Sequence, residues 1–346
     1  MGGWNRFHQL SQQGSFPMRP MLRAATLAAS LSLVLAGCGG KPAAPADAAD
    51  TAGKGETAAV DTDSDQALMG KLNGYIECYN DVDRKIHAGI GPYTVWMKDP
   101  KAGPTGREER PIGPPDLTAS DLKGCDKTLP EAIAAQPSLP ELDKAAQGYL
   151  DALHALQPIT HEAADYYQRD DYEDDGFARG KALHAPLMSA FGTFVEASSV
   201  FSDALDAEND RLQDSQLAKV EAQEGRTRNF YRLAIMRDAK ALMDLMAEDS
   251  FDVAEARRRL DAFNAISDEA HAKVAEQEPG KLDWNSFERT AENFRRESKE
   301  RLKRVAEKTP YSDIERRMLD TTMAPHGSPG KLMQEYNSLV FQSNRQ

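Results

Sequence analysis

The sequence predicts an all-α protein: an elongated multi-helix bundle with one long Gly/Pro-rich loop, preceded by a signal segment and a disordered tether. Three observations predict it. From Ser64 onward, apolar residues recur at spacings of three and four, the period of a helix face turned to a core. No stretch pairs apolar alternation with hairpin turn chemistry, so strands are not expected. Glycine and proline concentrate in residues 89–130, which hold thirteen of them.

Residues 1–37 have the character of a lipoprotein signal. Arg19 and Arg23 precede an apolar run from about Ala24 to Ala36, and Leu35-Ala36-Gly37-Cys38 completes a lipobox. Small residues before Cys38 fit a signal-peptidase groove, and the thiol accepts a diacylglycerol. The run is shorter than the ~20 residues that cross a bilayer, and a targeting segment stands outside the fold. Residues 1–17 lack signal character, which makes Met18 or Met21 a candidate start. Cys38 is the expected lipidation site, and its acyl chains are the expected membrane contact. Gly39, not Asp, follows it, which points to the outer membrane, facing the periplasm.

Residues 38–63 are rich in Ala, Pro, Asp, Thr and Gly, with Val60 as their one large aliphatic. They bury too little to offset ordering entropy and are expected to form a disordered tether, with a reach of ~25–30 Å. Residues 64–346 then form a single helical domain.

The formal net charge of −13 becomes −16 once Arg6, Arg19 and Arg23 leave with the signal. A surface so acidic excludes a nucleic-acid partner and opposes electrostatic adhesion to anionic lipid. With Cys38 lipidated, Cys78 and Cys125 remain. An even pair in an oxidising compartment is expected to form a disulfide, the alternatives being two free thiols or a metal pair.

Along the chain, Leu68, Leu72, Tyr75, Ile76, Tyr79, Val82 and Ile86 predict a first helix from Ser64 to Ala88, stopped by Gly89. Residues 89–130 form the long excursion, with Trp96 packed over the bundle and Cys125 pinning the far end. A second helix is expected from about Leu139 to Tyr172, with a kink at Pro158. Another begins at Ala178 with His184, Leu187, Phe191, Phe194, Ser198, Phe201 and Leu205 on one face, and meets no breaker before Gly225. Phe230 to Met246 is apolar nearly all round, as in a central buried helix. Two amphipathic helices follow, separated by Pro279-Gly280. Ser312 with Glu315 suggests a capping box, and Pro329 suits the first turn of a last helix.

The most distinctive cluster is Tyr166-Tyr167 followed by Asp170, Asp171, Tyr172, Glu173, Asp174, Asp175 and Gly176, with His184 two turns into the next helix. Asp171, Glu173, Asp175 and Gly176 imitate positions 1, 3, 5 and 6 of a calcium loop, although position 12 is Ala182. The plain expectation is a solvated acidic corner, with His184 a satisfied core residue. The alternatives are capture of a divalent cation or small ligand by these carboxylates and His184, or a partner-recognition corner, since tyrosines among acids suit interfaces. No other cofactor is expected. His154, His161 and Asp165 share a face without the second histidine of a zincin. The basic run Arg295, Arg296, Lys299, Arg301, Lys303, Arg304 and Lys308 is interleaved with acids and suits docking against an acidic helix or an anionic envelope polymer. No activated nucleophile or phosphate loop is present, so no catalytic centre is expected.

Tyr75-Ile76-Glu77-Cys78-Tyr79-Asn80, the Tyr166–Asp175 cluster, Gly180-Lys181-Ala182-Leu183-His184 and Tyr336-Asn337-Ser338-Leu339-Val340 carry a resemblance to the YiiG-like family of bacterial lipoproteins. It covers nearly everything from residue 66 onward. It implies an exported helical domain with a lipid anchor and no assigned chemistry, which fits an envelope binding module with a protein or polymer partner.

Overall fold

The computed structural model describes residues 56–277, 282–319 and 321–345, with side chains from residue 64 onward except for 275–283. Cys38, the signal segment 1–37 and residues 39–55 of the expected tether lie outside the described residues. Among the described residues there are ten helices and no strand: α1 (Glu56–Val95), α2 (Ala119–Ala134), α3 (Pro140–Gln168), α4 (Asp171–Asp175), α5 (Ala178–Glu224), α6 (Arg228–Met246), α7 (Val253–Gln277), α8 (Leu282–Ala306), α9 (Asp313–Met318) and α10 (Pro329–Ser343).

Periodicity suggested one domain over 64–346; the chain divides into two compact units, one ending at Phe201 and the other spanning Ser202–Gln346. The division falls inside α5, which is helical on both sides, so no change of composition marks it.

In the first unit, α1, α2, α3 and the start of α5 alternate in direction. Along α2, Asp121 meets Lys85 (2.7 Å), and Lys71 donates to the Ala135 carbonyl just past the helix (2.9 Å), so α2 runs back along α1. The Cys78–Cys125 disulfide joins the two helices between these points, with Cα atoms 4.7 Å apart. Helix α3 returns parallel to α1, from the Tyr75–Asp143 hydrogen bond (2.6 Å) to the Tyr93–Tyr167 ring contact. Helix α5 descends again, from Tyr93–His184 to Tyr75–Phe201.

Four details correct the expected elements of this unit. Residues 56–63, assigned to the tether, begin α1. The first helix does not stop at Gly89 but continues through Gly91 and Pro92 to Val95. Gly89 serves close packing, since a Cβ there would lie 2.5 Å from the Pro115 ring. The excursion shrinks to residues 96–118, because Ala119–Ala134 is helical. A capping box starts that helix: Asp121 N–H donates to Thr118 Oγ1, and Asp121 Oδ2 accepts from Thr118 N–H (2.8 Å). The helix expected to reach Tyr172 is broken after Gln168, where Asp170 takes the left-handed conformation (φ 57°).

The second unit is built on α6, in which no residue from 228 to 246 is exposed. Its neighbours α7, α8 and α10 bury Phe263, Phe287, Phe294 and Tyr336 against Leu242, Met243 and Met246. Helix α5 ends at Gly225 (φ 73°), so it does not fuse with α6. The expected Ser312–Glu315 capping box is complete, and Pro329 occupies the first turn of α10.

Candidate functional site

Where α1 ends, six rings close the first unit. Tyr93, Trp96, Tyr166, Tyr167, Tyr172 and Phe177 lie in a chain of contacts with centroids 5.0–6.4 Å apart. Such packing is worth more than area burial alone. The 96–118 loop is fastened across these rings: Trp96 Nε1–H donates to the Ile112 carbonyl (2.9 Å). Trp96 therefore packs over the bundle as the sequence suggested.

His184 makes the second fastening. Its Nε2–H donates to the Pro100 carbonyl (2.8 Å), which leaves Nδ1 to accept the Tyr93 hydroxyl proton (2.9 Å). Burial pushes the imidazole pKa down, and the ring stays neutral. Gly103 (φ 82°) lies so close that a Cβ would meet the ring at 2.5 Å. Both ring nitrogens are thus committed, and His184 is a satisfied core residue that latches the loop. The structure does not offer it as a ligand.

The acidic corner forms the rim of this cap. Asp170 Oδ1 accepts from the Tyr172 hydroxyl (2.8 Å). Asp175 Oδ1 accepts from the Tyr166 hydroxyl (2.8 Å), and its Oδ2 accepts the Arg179 N–H in the first turn of α5 (2.9 Å). That backbone hydrogen bond holds Asp175 below the usual carboxylate range. Glu173 and Asp174 are exposed, and Asp171 is half-buried. The calcium-loop pattern is not realised, because Asp171–Asp175 is a turn of helix. Residues two apart on a helix face opposite ways, so Glu173 points away from Asp171 and Asp175, and Asp175 is already engaged by Tyr166 and Arg179. Among the described residues, no three His, Cys, Asp or Glu side chains are grouped to hold a metal ion.

The other sequence candidates also separate. His154 pairs with Asp126 (2.6 Å) on α2, and His161 pairs with Asp116 (2.8 Å) in the loop. Asp165 takes Arg169 instead (2.8 Å). In the basic run, Arg295 reaches Asp268 on α7 (2.8 Å), Arg304 reaches Glu315 (2.9 Å), and Arg301 is buried. A cleft of about 370 Å³ in the second unit carries Asp210, Asp214, Arg237, Asp238, Arg258 and Arg259. Its charges neutralise one another or their neighbours: Arg237 pairs with Asp238, and Arg258 and Arg259 pair with Glu255.

One constellation escaped the sequence. Asp83 on α1 is buried and accepts the Ser198 hydroxyl proton from α5 on Oδ1 (2.6 Å) and, more weakly, that of Tyr149 from α3 (3.4 Å). His87, one turn on, places Nε2 3.3 Å from Ser198 Oγ and 3.7 Å from Asp83 Oδ2. The residue types are those of an acyl-transfer triad, but the wiring is not. A triad histidine stands between serine and acid and uses one nitrogen for each. Here Ser198 bonds the acid directly, one nitrogen faces both, and Ser198 is fully buried. The available signal was an acid on the apolar stripe of α1, and Ser198 on that of α5.

The family described as "Protein of unknown function (DUF3829)" matches residues 66–345. The chain is 31% identical over 351 residues to "Uncharacterized protein YiiG" of Escherichia coli (strain K12), covering 94% of this chain and 99% of that protein. No solved structure matches it.

Proposed function

The chain belongs to the DUF3829 family of unknown function, and from that premise we propose that it is a lipid-anchored interaction module of the bacterial envelope. In this reading Cys38 holds it in the outer membrane, on the periplasmic side, and the aromatic cap of its first unit engages an envelope protein. One observation carries the reading. Val95 is 76% exposed and Ile112 is 49% exposed, and both flank Trp96 on a frame fixed by His184 and the packed rings. Apolar side chains held in the open beside carboxylates suit a partner surface, where a desolvated centre is ringed by polar groups. The position supports it too. Helix α1 has 40 residues, so the cap lies roughly 60 Å along the helix from its tethered end.

Two experiments test the two halves of the reading. A photoreactive side chain placed at Ile112 or at Glu173 is expected to trap the same discrete partner in cells, and Trp96→Ala is expected to abolish both adducts. Adducts equally strong at the distant Lys144 would reject the cap as the docking face. Separately, Cys38→Ser is expected to remove incorporation of labelled fatty acid, and unchanged incorporation would reject the anchor.

A further inference from the structure

We propose that Asp83 and His87 form a buried proton-binding pair that makes the interface of α1, α3 and α5 responsive to mild acid. The geometry around them is lopsided. Ser198 gives its one proton to Asp83 Oδ1, so it receives rather than donates at its contacts with Tyr79 Oη (3.4 Å) and His87 Nε2 (3.3 Å). Tyr149 also donates to Oδ1 (3.4 Å). The Tyr79 hydroxyl also faces the carboxylate, and the hydrogen bonds from Ser198 and Tyr149 both end on one oxygen. Oδ2 has none, in a residue that is 1% exposed. A buried acceptor left empty is costly, and an asparagine of the same shape would avoid the charge.

The group poised to relieve it is His87, whose Nε2 lies 3.7 Å from Oδ2. Nε2 already carries the hydrogen that faces Ser198, so the first proton taken up by the pair goes either to the other ring nitrogen, which sets an imidazolium against the carboxylate, or to Oδ2 itself, which removes the unpaired charge. A second leaves a neutral acid beside an imidazolium, 5.4 Å from the Phe194 ring (centroid to centroid). The buried site thus passes from a net charge of −1 to +1. The groups facing the pair are Tyr79 on α1, Tyr149 on α3 and Ser198 on α5, none of which adds another charge at working pH. Burial is the leading influence on both members. It raises Asp83 from its usual 3.8 and lowers His87 from its usual 6.5, so the two titrations move toward one another.

The signs oppose one another. Asp83, raised, contributes stability that is present below pH 3.8 and is lost as pH rises through its folded value. His87, lowered, contributes stability that is present above pH 6.5 and is lost as pH falls through its folded value. In the intact pair the two trends oppose one another, and each single variant exposes the other trend.

The experiment follows the full chain, with 13C-labelled histidine, between pH 4 and 7.5. His87 is assigned in the intact protein by its nuclear Overhauser contacts with the Phe194 ring, 5.4 Å away (centroid to centroid). Its midpoint is expected below 6.5, and lower still in Asp83→Asn, where the attracting carboxylate is gone. Hydrogen-exchange protection of the α1 amides, relative to the intact protein, is expected to fall toward acid in Asp83→Asn and to rise toward acid in His87→Gln. An unshifted His87 midpoint in the intact protein overturns the proposal, even where neither variant folds. So do two variants with the same pH trend.

Discussion

In the second unit the charged groups Lys240, Glu297 and Arg301 are only 2–3% exposed, and each is paired with opposite charge or hydrogen-bonded to carbonyls, although that unit also buries polar atoms of Asn209, Gln213 and Trp284 that have no hydrogen-bond partner. In the first, Asp83 is as deeply buried, and one of its oxygens meets no donor. Lys240 Nζ sits among Asp210 (2.8 Å), Asp244 (2.9 Å) and Asp206 (3.6 Å). Arg301 donates to the carbonyls of Met246 (3.2 Å), Glu248 (2.5 Å) and Gly327 (3.2 Å) and to the Tyr311 hydroxyl (3.2 Å). Glu297 accepts from Gly327 N–H and pairs with His326 (2.7 Å). These are charges used as fasteners: Lys240 ties α6 to the second part of α5, and Arg301 and Glu297 tie the end of α6 and the turn before α10 to α8. Asp83 fastens α5 with one oxygen and leaves the other idle. Buried polar groups that a fold fully satisfies specify structure, whereas those it leaves short mark places where some other demand competes with stability.

That contrast can be broken most forcefully at Lys240. Removing it leaves three aspartates facing each other without their cation, and Lys240→Ala is expected to cost the second unit up to ~5 kcal/mol. Urea unfolding of the whole chain measures this, and a loss below about 1 kcal/mol would mean the cluster is solvated rather than a fastener. Next in size is the disulfide. Cys78→Ala with Cys125→Ala, 47 residues apart, is expected to cost the first unit about 4 kcal/mol while protection of α6 amides is unchanged. Equal losses in both units would show that the division at Phe201 does not separate them in stability.

A smaller effect is expected at the cap. His184→Leu strands the Tyr93 hydroxyl and the Pro100 carbonyl, at a cost of ~1–3 kcal/mol. Faster exchange of the 97–103 amides would show the latch released. The smallest effect belongs to His161, which is exposed. Hydrogen bonding to Asp116 raises its pKa above 6.5, so the pair supports the loop fully below pH 6.5 and loses hold as pH rises through the folded value. Protection of the Leu117 amide is expected to decline between pH 6.5 and 8 in the intact protein and to be flat in His161→Gln. A slope that survives the substitution would assign the effect elsewhere.

Helix faces were legible because burial imposes a period: the apolar residues chosen from Leu72 to Ile86 and from Phe230 to Met246 do line the cores. The bridge was legible because lipidation of Cys38 would leave one pair. Helix α2 was not legible, since Gly124 and Pro130 lie inside it and outweigh the Thr118–Asp121 capping signal that announces it. Gly89 misled for a related reason. A glycine needed for close approach to Pro115 looks like one needed to end a helix. The acidic corner was visible as composition, but its carboxylates take hydroxyl and backbone partners that composition does not name. The Asp83–Ser198 contact joins residues 115 apart, and no local pattern brings those two together.

On the proposed reading of an exported chain, the bridge between α1 and α2 also has a consequence for the order of events. A chain that crosses the inner membrane N-terminus first would deliver Cys38, then Cys78, then Cys125, and three thiols admit three pairings. Because the two helices hold Cys78 and Cys125 in apposition within a short hairpin, one pairing is self-selecting as soon as residue 134 has emerged, with most of the chain still to come. The fold thereby withdraws both later thiols from competition with the acylation proposed at Cys38.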